Sequence, residues 1–440
     1  MPEIESIYKD LRLEIALLKV IDTHDHLKSE SCRKREKFTP FNLGYVGCDL
    51  CGAGACEEES AAAENHAREP EKTKEIFLKY YPFTRTTGYG RAISRTVKDV
   101  FGIEKLNGKS YDKLAEKIAS GLPKGFLESW LRKKLNIRAV ILDVEDDVDY
   151  PDFFFYSLRQ YKYFVIADSR EDLEELEKLS GCSIHSAAQM RDAMWGYLET
   201  LLKSRKAVAI KNNLAYYRSI YFERTTLAEA DRAFNMFFAR KHAHHAGSWI
   251  KTHHRSPDEL LPLQNFLVHE SVRFAEEFKL AYQVHTGLQA GYTNEITDSR
   301  PTNLLNLFRE YRKVPFVLFH GGFPYCREWG VLGLNFPNVY LDLCWMHIIS
   351  PATSVQMLDE WLDYVPNNKI FGFGGDLHLA ESVYGHLEQA RDNLARALAL
   401  KVARGDYDRK TALEVASNML YQNPRRVFNL PLKILEPEKV

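Results

Sequence analysis

No apolar run in this sequence approaches the ~20 residues that a membrane-spanning helix needs, so no bilayer span is expected. No sign of charge prevails either. Lys and Arg number 59 against 60 Asp and Glu, the formal net charge is −1, and no long basic run occurs. Nothing in that balance favours a polyanion, and nucleic acid is excluded as the expected partner. The N-terminal MPEIESIYKDLRLEIALL lacks the basic start and apolar core of a secretory signal. Its Ile4, Ile7, Leu11 and Ile15 recur in helical register instead, and an amphipathic helix is expected there. Cysteine is sparse, and its count of seven is odd. Without a signal segment, that points to reduced thiols and a cytoplasmic protein. Internal repeats and low-complexity tracts are absent as well.

What is there is a 440-residue chain, 45% hydrophobic and 27% charged, enough for a large core. Apolar runs of strand length recur, and many end in a polar residue. They are VIDTH from Val20, RAVILD (138–143), YFVIAD (163–168), AVAIK (207–211), AYQVH (281–285), PFVLFH (315–320), VYLDL (339–343) and KIFGFGGD (369–376). They are nearly continuous in Val, Ile, Leu and Phe, as parallel strands buried on both faces are. Helical periodicity separates most of them, at 170–179, 187–204, 302–311 and 353–365. Eight βα units predict a single (β/α)8 TIM-like barrel over 1–440. The open doubly wound sheet is the alternative, but no Gly-rich phosphate loop follows an early strand.

Two gaps exceed a simple crossover. Residues 28–135, with helical stretches at 69–81, 88–102 and 110–122, follow the first strand, and residues 212–280 follow the fourth. In the second gap Ser256 is expected to cap a helix whose first position is Pro257. Active sites of such barrels form at the C-terminal strand ends, so these helical insertions are expected to cover the site. A last helix over 411–430 is expected to end near Asn423-Pro424.

His24 and His26 are spaced by two at the end of the first strand, and strand alternation points such a pair the same way. Two neutral imidazoles make half a metal site. The other strand ends carry Lys211, His285, His320 and Asp376, and a barrel would gather all six at one mouth. Taken singly, the histidines could cap backbone groups, and Asp376 could cap the next helix. Taken together, they suit zinc or a similar divalent ion, one or two per chain. A lysine ammonium cannot ligate a cation, but its carbamate can, and forming that carbamate requires a desolvated neutral amine. The plain alternative for Lys211 is an unmodified ion pair with Asp376 or a substrate carboxylate.

The stretch from YQVHTG through FVLFHGGFPYCREWG, NVYLDLCW and NKIFGFGGDLH to GHLEQARDNLARALAL resembles the amidohydrolase superfamily, in its "amidohydrolase 2" branch. It is similar to the amidohydrolase-like domain of glutamine-synthetase fusion proteins and, more distantly, to uronate isomerase. The resemblance implies that His24, His26 and Asp376 ligate the more buried metal and that carboxylated Lys211 bridges two metals. It further implies that His285 and His320 ligate a second metal or contact substrate.

The expected activity is hydrolysis of an amide, ester or lactone of a small molecule by a metal-activated water. Asp376 would act as general base and acid, with His320 helping hold the oxyanion. Tyr216, Tyr217 and Arg218, which follow Lys211, and Arg327, after the sixth strand, are candidate substrate contacts. The alternatives are an isomerase, a non-oxidative decarboxylase, or a non-enzymatic binding relative. A homo-oligomer is compatible with all of them. Cys48, Cys51 and Cys56, near Cys32 and His66, lack a clean fourth ligand and are expected to be plain thiols. The histidines of 242–245 and 252–254 are expected at a helix end and in a covering loop.

Overall fold

In the computed structural model, eight parallel strands pair in chain order into one ring. They are β1 Val20–Asp25, β2 Ile137–Leu142, β3 Phe154–Arg159, β4 Ala207–Asn212, β5 Ala281–Val284, β6 Phe316–Leu318, β7 Val339–Asp342 and β8 Ile370–Phe371. The structure describes residues 2–35, 38–65, 67–120, 124–144, 152–159, 164–239 and 256–432. Segment 369–376 continues past β8 and closes the ring on β1. There Thr23 donates to the Phe373 carbonyl from its amide at 3.2 Å and from Oγ1 at 2.9 Å, and the Asp376 amide donates to the His24 carbonyl at 2.9 Å. This is the expected (β/α)8 barrel.

One strand lies elsewhere than expected. β3 is Phe154–Arg159, with Val140 of β2 opposite Phe154 and Ile210 of β4 opposite Leu158. Residues 164–167 of the denser apolar run are buried all the same. An apolar run signals burial, and periodicity alone does not tell a buried strand from another buried segment.

The helix Pro2–Leu17 buries Leu11 and Ile15 fully, with Ile4 and Ile7 packed at the core edge. Its Arg12 pairs with Glu388 and Asp392 on the helix Ala380–Ala403. Between β1 and β2 the chain forms helices Glu30–Arg35, Val46–Gly52, Glu57–Glu64, Pro70–Thr84, Gly88–Asp99 and Gly108–Ala119, then the turns of 126–134. Pro70 opens one of them, while the Thr87 and Asn107 side chains cap the two that follow. A second core of Phe41, Phe77, Ile93, Tyr111 and Leu114 unites them and includes Leu379, just beyond β8. The helix Gly88–Asp99 comes very close to the barrel. A β-carbon on Gly88 would lie 2.1 Å from the Ile348 carbonyl oxygen, and one on Gly385 would lie 2.1 Å from that of Ala92. Only glycine permits either approach.

Between β4 and β5 lie Leu227–Phe234, Asn235–Ala239 and the helix Leu261–Glu277, preceded by a 3₁₀ turn at Asp258–Leu260. Pro257 therefore stands one position before the first turn. Ser256 Oγ accepts from Gln264 Nε2 at 3.1 Å instead of capping an amide. The histidines of 242–245 and 252–254, and His66, lie outside the described residues. At the C-terminus Pro424 sits in the first turn of a short helix, Asn423–Val427, and does not end the preceding one. Its missing amide proton is free of cost there. Among the described residues no helix is long and apolar enough to cross a membrane.

Candidate metal centre

β1 delivers His24 and His26 to the C-terminal mouth, where pairing with β2 shifts register between Asp22 and Asp25. Their rings meet edge-on, with centroids 4.8 Å apart, and His24 packs against Phe319. His26 Nε2 lies 3.0 Å from Asp376 Oδ1, and His24 Nε2 lies 3.4 Å from the same oxygen. Lys211 Nζ, from β4, is 3.5 Å from His24 Nε2 and stands over the Phe319 ring. The structure thus brings His24, His26, Lys211 and Asp376 together.

His285 and His320 form an adjoining pair, with His320 Nε2 3.0 Å from His285 Nδ1. Tyr216 flanks them, its ring 4.7 Å from that of His285 and its hydroxyl accepting from the Ala290 amide. Among the described residues, two sets of side chains bring ligand atoms within 4.8 Å of one another: His24, His26 and Asp376, and His320, Cys344 and Asp376. Asp376 belongs to both. Among the described residues, Cys48, Cys51 and Cys56 form no such set, and all seven cysteines lie outside disulfides.

The hydrogen bonds identify the ring protons of His320 and His285. His26 Nδ1 lies 2.8 Å from the Asp143 carbonyl, an acceptor, and 3.1 Å from Arg159 Nη2, a donor, so its contacts suit either tautomer, unlike those of His320 and His285. Its Nε2 faces the Asp376 carboxylate oxygen. A carbonyl only accepts, so His320 Nδ1, 3.0 Å from the Cys344 carbonyl, and His285 Nε2, 2.9 Å from that of Leu288, carry protons. His320 Nε2 and His285 Nδ1 are left as two lone pairs facing each other. Acceptors meeting at hydrogen-bond distance require a cation or a proton between them. Nitrogen and carboxylate donors in this arrangement fit a divalent metal.

The electrostatics keep these groups in ligand form. Burial lowers His24 to about 3, helped by Lys211, and lowers His320 to about 4. His285 falls well below its ordinary value through burial and then through His320. Burial also lowers Lys211, against the pull of Asp143 and Asp376. Burial alone would raise Asp376, but its contacts with His24 and His26 hold it well below the usual carboxylate range.

The candidate substrate residues separate. Tyr217 is partly buried, and its carbonyl accepts from the Ser256 amide. Arg218 is buried, with its guanidinium donating to Gln264, Asn265 and the Tyr221 carbonyl. Arg327 is exposed and paired with Glu360 on the outer helices, so the structure does not bring it to the cluster.

Sequence reasoning missed other strand-end groups. Asp143 and Arg159, just past β2 and at the end of β3, form an ion pair beside His26. Cys344 lies just past β7 and groups with His320 and Asp376. Tyr45 reaches in from the 28–135 segment, donates to the Asp376 carbonyl at 2.5 Å and stacks on Trp345. The polar endings of RAVILD and FYSLR were visible signals for the first two. Tyr45 gave none.

The amidohydrolase family model matches residues 221–430. Over these residues the chain is similar to the amidohydrolase family. His285, His320 and Asp376 lie inside the matched span of this family, while His24, His26 and Lys211 precede it. Protein fluG of Emericella nidulans is 31% identical over 175 residues, which cover 38% of this chain and 20% of that relative's length. This chain thus matches about a fifth of that protein. The barrel is similar to glucuronate isomerase of Caulobacter crescentus, with a TM-score of 0.76 and 16% identity over 98% of this chain and 96% of the other. Uronate isomerase of Thermotoga maritima gives 0.74, with 16% identity over 96% and 97%. A putative metal-dependent hydrolase of Lactobacillus casei gives 0.64, with 15% identity over 95% and 97%. At these identities the structures show a shared fold. The amidohydrolase match and the His/Asp cluster support a metal-dependent enzyme.

Proposed function

We propose that this protein is a metal-dependent hydrolase that cleaves an amide, ester or lactone bond of a small molecule at the mouth of the barrel. The observation that carries the reading is the pair of facing acceptors on His285 and His320, beside the contact of His26 with Asp376. His26 Nε2 meets Asp376 Oδ1, and His285 Nδ1 meets His320 Nε2, each at 3.0 Å. His24, His26 and Asp376 would hold one cation. His285 and His320, with Lys211 as a carbamate, would hold a second. Imidazole and carboxylate donors favour zinc.

A divalent cation held by His24, His26 and Asp376 would supply Lewis-acid chemistry, lowering the pKa of water and polarising a substrate carbonyl. Asp376, ionised at neutral pH, accepts the proton released on attack and returns it to the leaving group. His320 offers a lone pair at Nε2, because its Nδ1 proton is engaged by Cys344. It therefore suits cation ligation better than donation to an oxyanion. Tyr217 and Arg218 shape the rim, with Arg218 acting through the backbone it fixes. The helices of 28–135 and 212–280 cover the mouth. Seven cysteines outside disulfides accord with a reducing compartment, and we place the protein in the cytoplasm.

The test is a screen of amides, esters and lactones with zinc-loaded protein, and again after chelation. Turnover that is lost on chelation and regained with zinc supports the reading; equal turnover in metal-free protein overturns it. A sugar-acid isomerase would use the same cluster. It is distinguished by conversion of substrate without consumption of water.

A further inference from the structure

We infer that Asp22 and Asp25 are positioning residues that lock the Asp376 turn against the two histidines. The inference rests on reading His24, His26 and Asp376 as one cation site. Both carboxylates are fully buried and take no part in the proposed chemistry. Asp22 Oδ1 accepts from the His24 amide at 3.3 Å and from the Gly375 amide at 2.9 Å. Asp25 Oδ1 accepts from the His26 amide at 3.2 Å and from the Leu377 amide at 2.5 Å. Each carboxylate thus ties the backbone of one histidine to the backbone of a residue flanking Asp376. The Asp376 amide donates to the His24 carbonyl between them, so three successive turn amides are held by β1.

The turn needs such a hold. Asp376 has φ +55°, a left-handed conformation unfavourable for a residue with a side chain, and it persists only where surroundings enforce it. Nothing larger than glycine fits at position 375. A β-carbon there would lie 2.6 Å from Asp25 Oδ2 and 3.0 Å from Asp22 Oδ2. Tyr45 closes the fourth side through its bond to the Asp376 carbonyl. The distance between imidazole nitrogens and Asp376 Oδ1 is therefore set by backbone bonds through two carboxylates.

The experiment compares Asp22→Ala and Asp25→Ala with Asp22→Asn and Asp25→Asn, which keep an acceptor oxygen at the same place. Zinc affinity is measured by chelator competition, and the visible spectrum is recorded on cobalt-loaded protein. The alanine variants should bind zinc roughly 10–100-fold more weakly, the range found when groups supporting metal ligands are removed, and their cobalt bands should shift. The asparagine variants should stay within about threefold of the parent, on the same ground that the acceptor is retained.

Alanine variants with parental affinity and spectrum would overturn the inference, as would asparagine variants as weak as alanine ones. Should the alanine variants not fold, Tyr45→Phe removes one bond of the same turn and should weaken zinc binding by itself. A crystal structure of either alanine variant gives a readout independent of metal. Asp376 still at φ near +55°, with its carboxylate still beside His24 and His26, would overturn the positioning role. If the parent binds no zinc but the variant turn moves, the metal reading fails and the positioning role stands.

Discussion

His26 directs one ring nitrogen to the Asp143 carbonyl at 2.8 Å and the other to the Asp376 carboxylate at 3.0 Å. His26, Asp376 and His24 bring their ligand atoms within 4.8 Å of one another. Removing any one of them should abolish cation binding at this position. For His26→Ala, His24→Ala and Asp376→Ala, the zinc content found by elemental analysis should fall by at least one equivalent per chain. Turnover should fall by roughly 10³-fold or more, on the scale seen when essential members of a catalytic unit are deleted. Full turnover in any of the three would overturn the site assignment.

Lys211 is buried with a lowered pKa, over an aromatic face and beside His24. A neutral amine so placed can add carbon dioxide. Reconstitution with zinc and bicarbonate should load two equivalents into the parent and one into Lys211→Ala. A native mass spectrum should show the added carbon dioxide in the parent only. Two equivalents in both proteins would exclude the carbamate.

His347 titrates away from the cluster. Its Nε2 proton is given to the Gly372 carbonyl, and burial lowers its pKa from 6.5 to about 4. The unfolded chain then takes up this proton at higher pH than the folded one. Stability from this group is complete above the unfolded value of 6.5 and is lost as pH falls toward 4. The loss between pH 6.5 and 5.5 is about 1 kcal/mol. Urea midpoints should fall over that interval, and His347→Gln should flatten the slope by this amount.

The two arginines should behave oppositely. Arg327 lies on the surface beside Glu360, and Arg327→Ala should change stability by less than about 0.5 kcal/mol and leave kcat/KM unaltered. Arg218 is buried and holds Gln264 and Asn265. Arg218→Ala should destabilise by about 2–4 kcal/mol through the partners left unpaired. Thermal and urea unfolding with steady-state kinetics separate the two outcomes.

Most of the barrel was legible because parallel strands bury both faces and read as dense apolar runs. The exception is instructive: β3 contains Ser157 and ends in Arg159, so the purer run at 163–168 looked more like a strand. His24, His26, Lys211, His285, His320 and Asp376 were legible because they are polar residues where strands end. Asp143 lies just past β2 and was visible as the polar ending of RAVILD, whereas Cys344, just past β7, is a lone Cys that does not announce a ligand. Tyr45 was out of reach. Its place depends on how the helices between β1 and β2 fold back over the barrel, and no local pattern encodes that path.

β1 and segment 369–376 meet at the seam of the ring, joined by Thr23 and Phe373. The imidazoles come from one lip of that seam and the carboxylate from the other, about 350 residues apart in sequence. A nascent chain halted before residue 376 carries two of the three donors and has nothing to clasp an ion against. Ion capture at this position would then report that synthesis has passed the last strand and that the cylinder has shut.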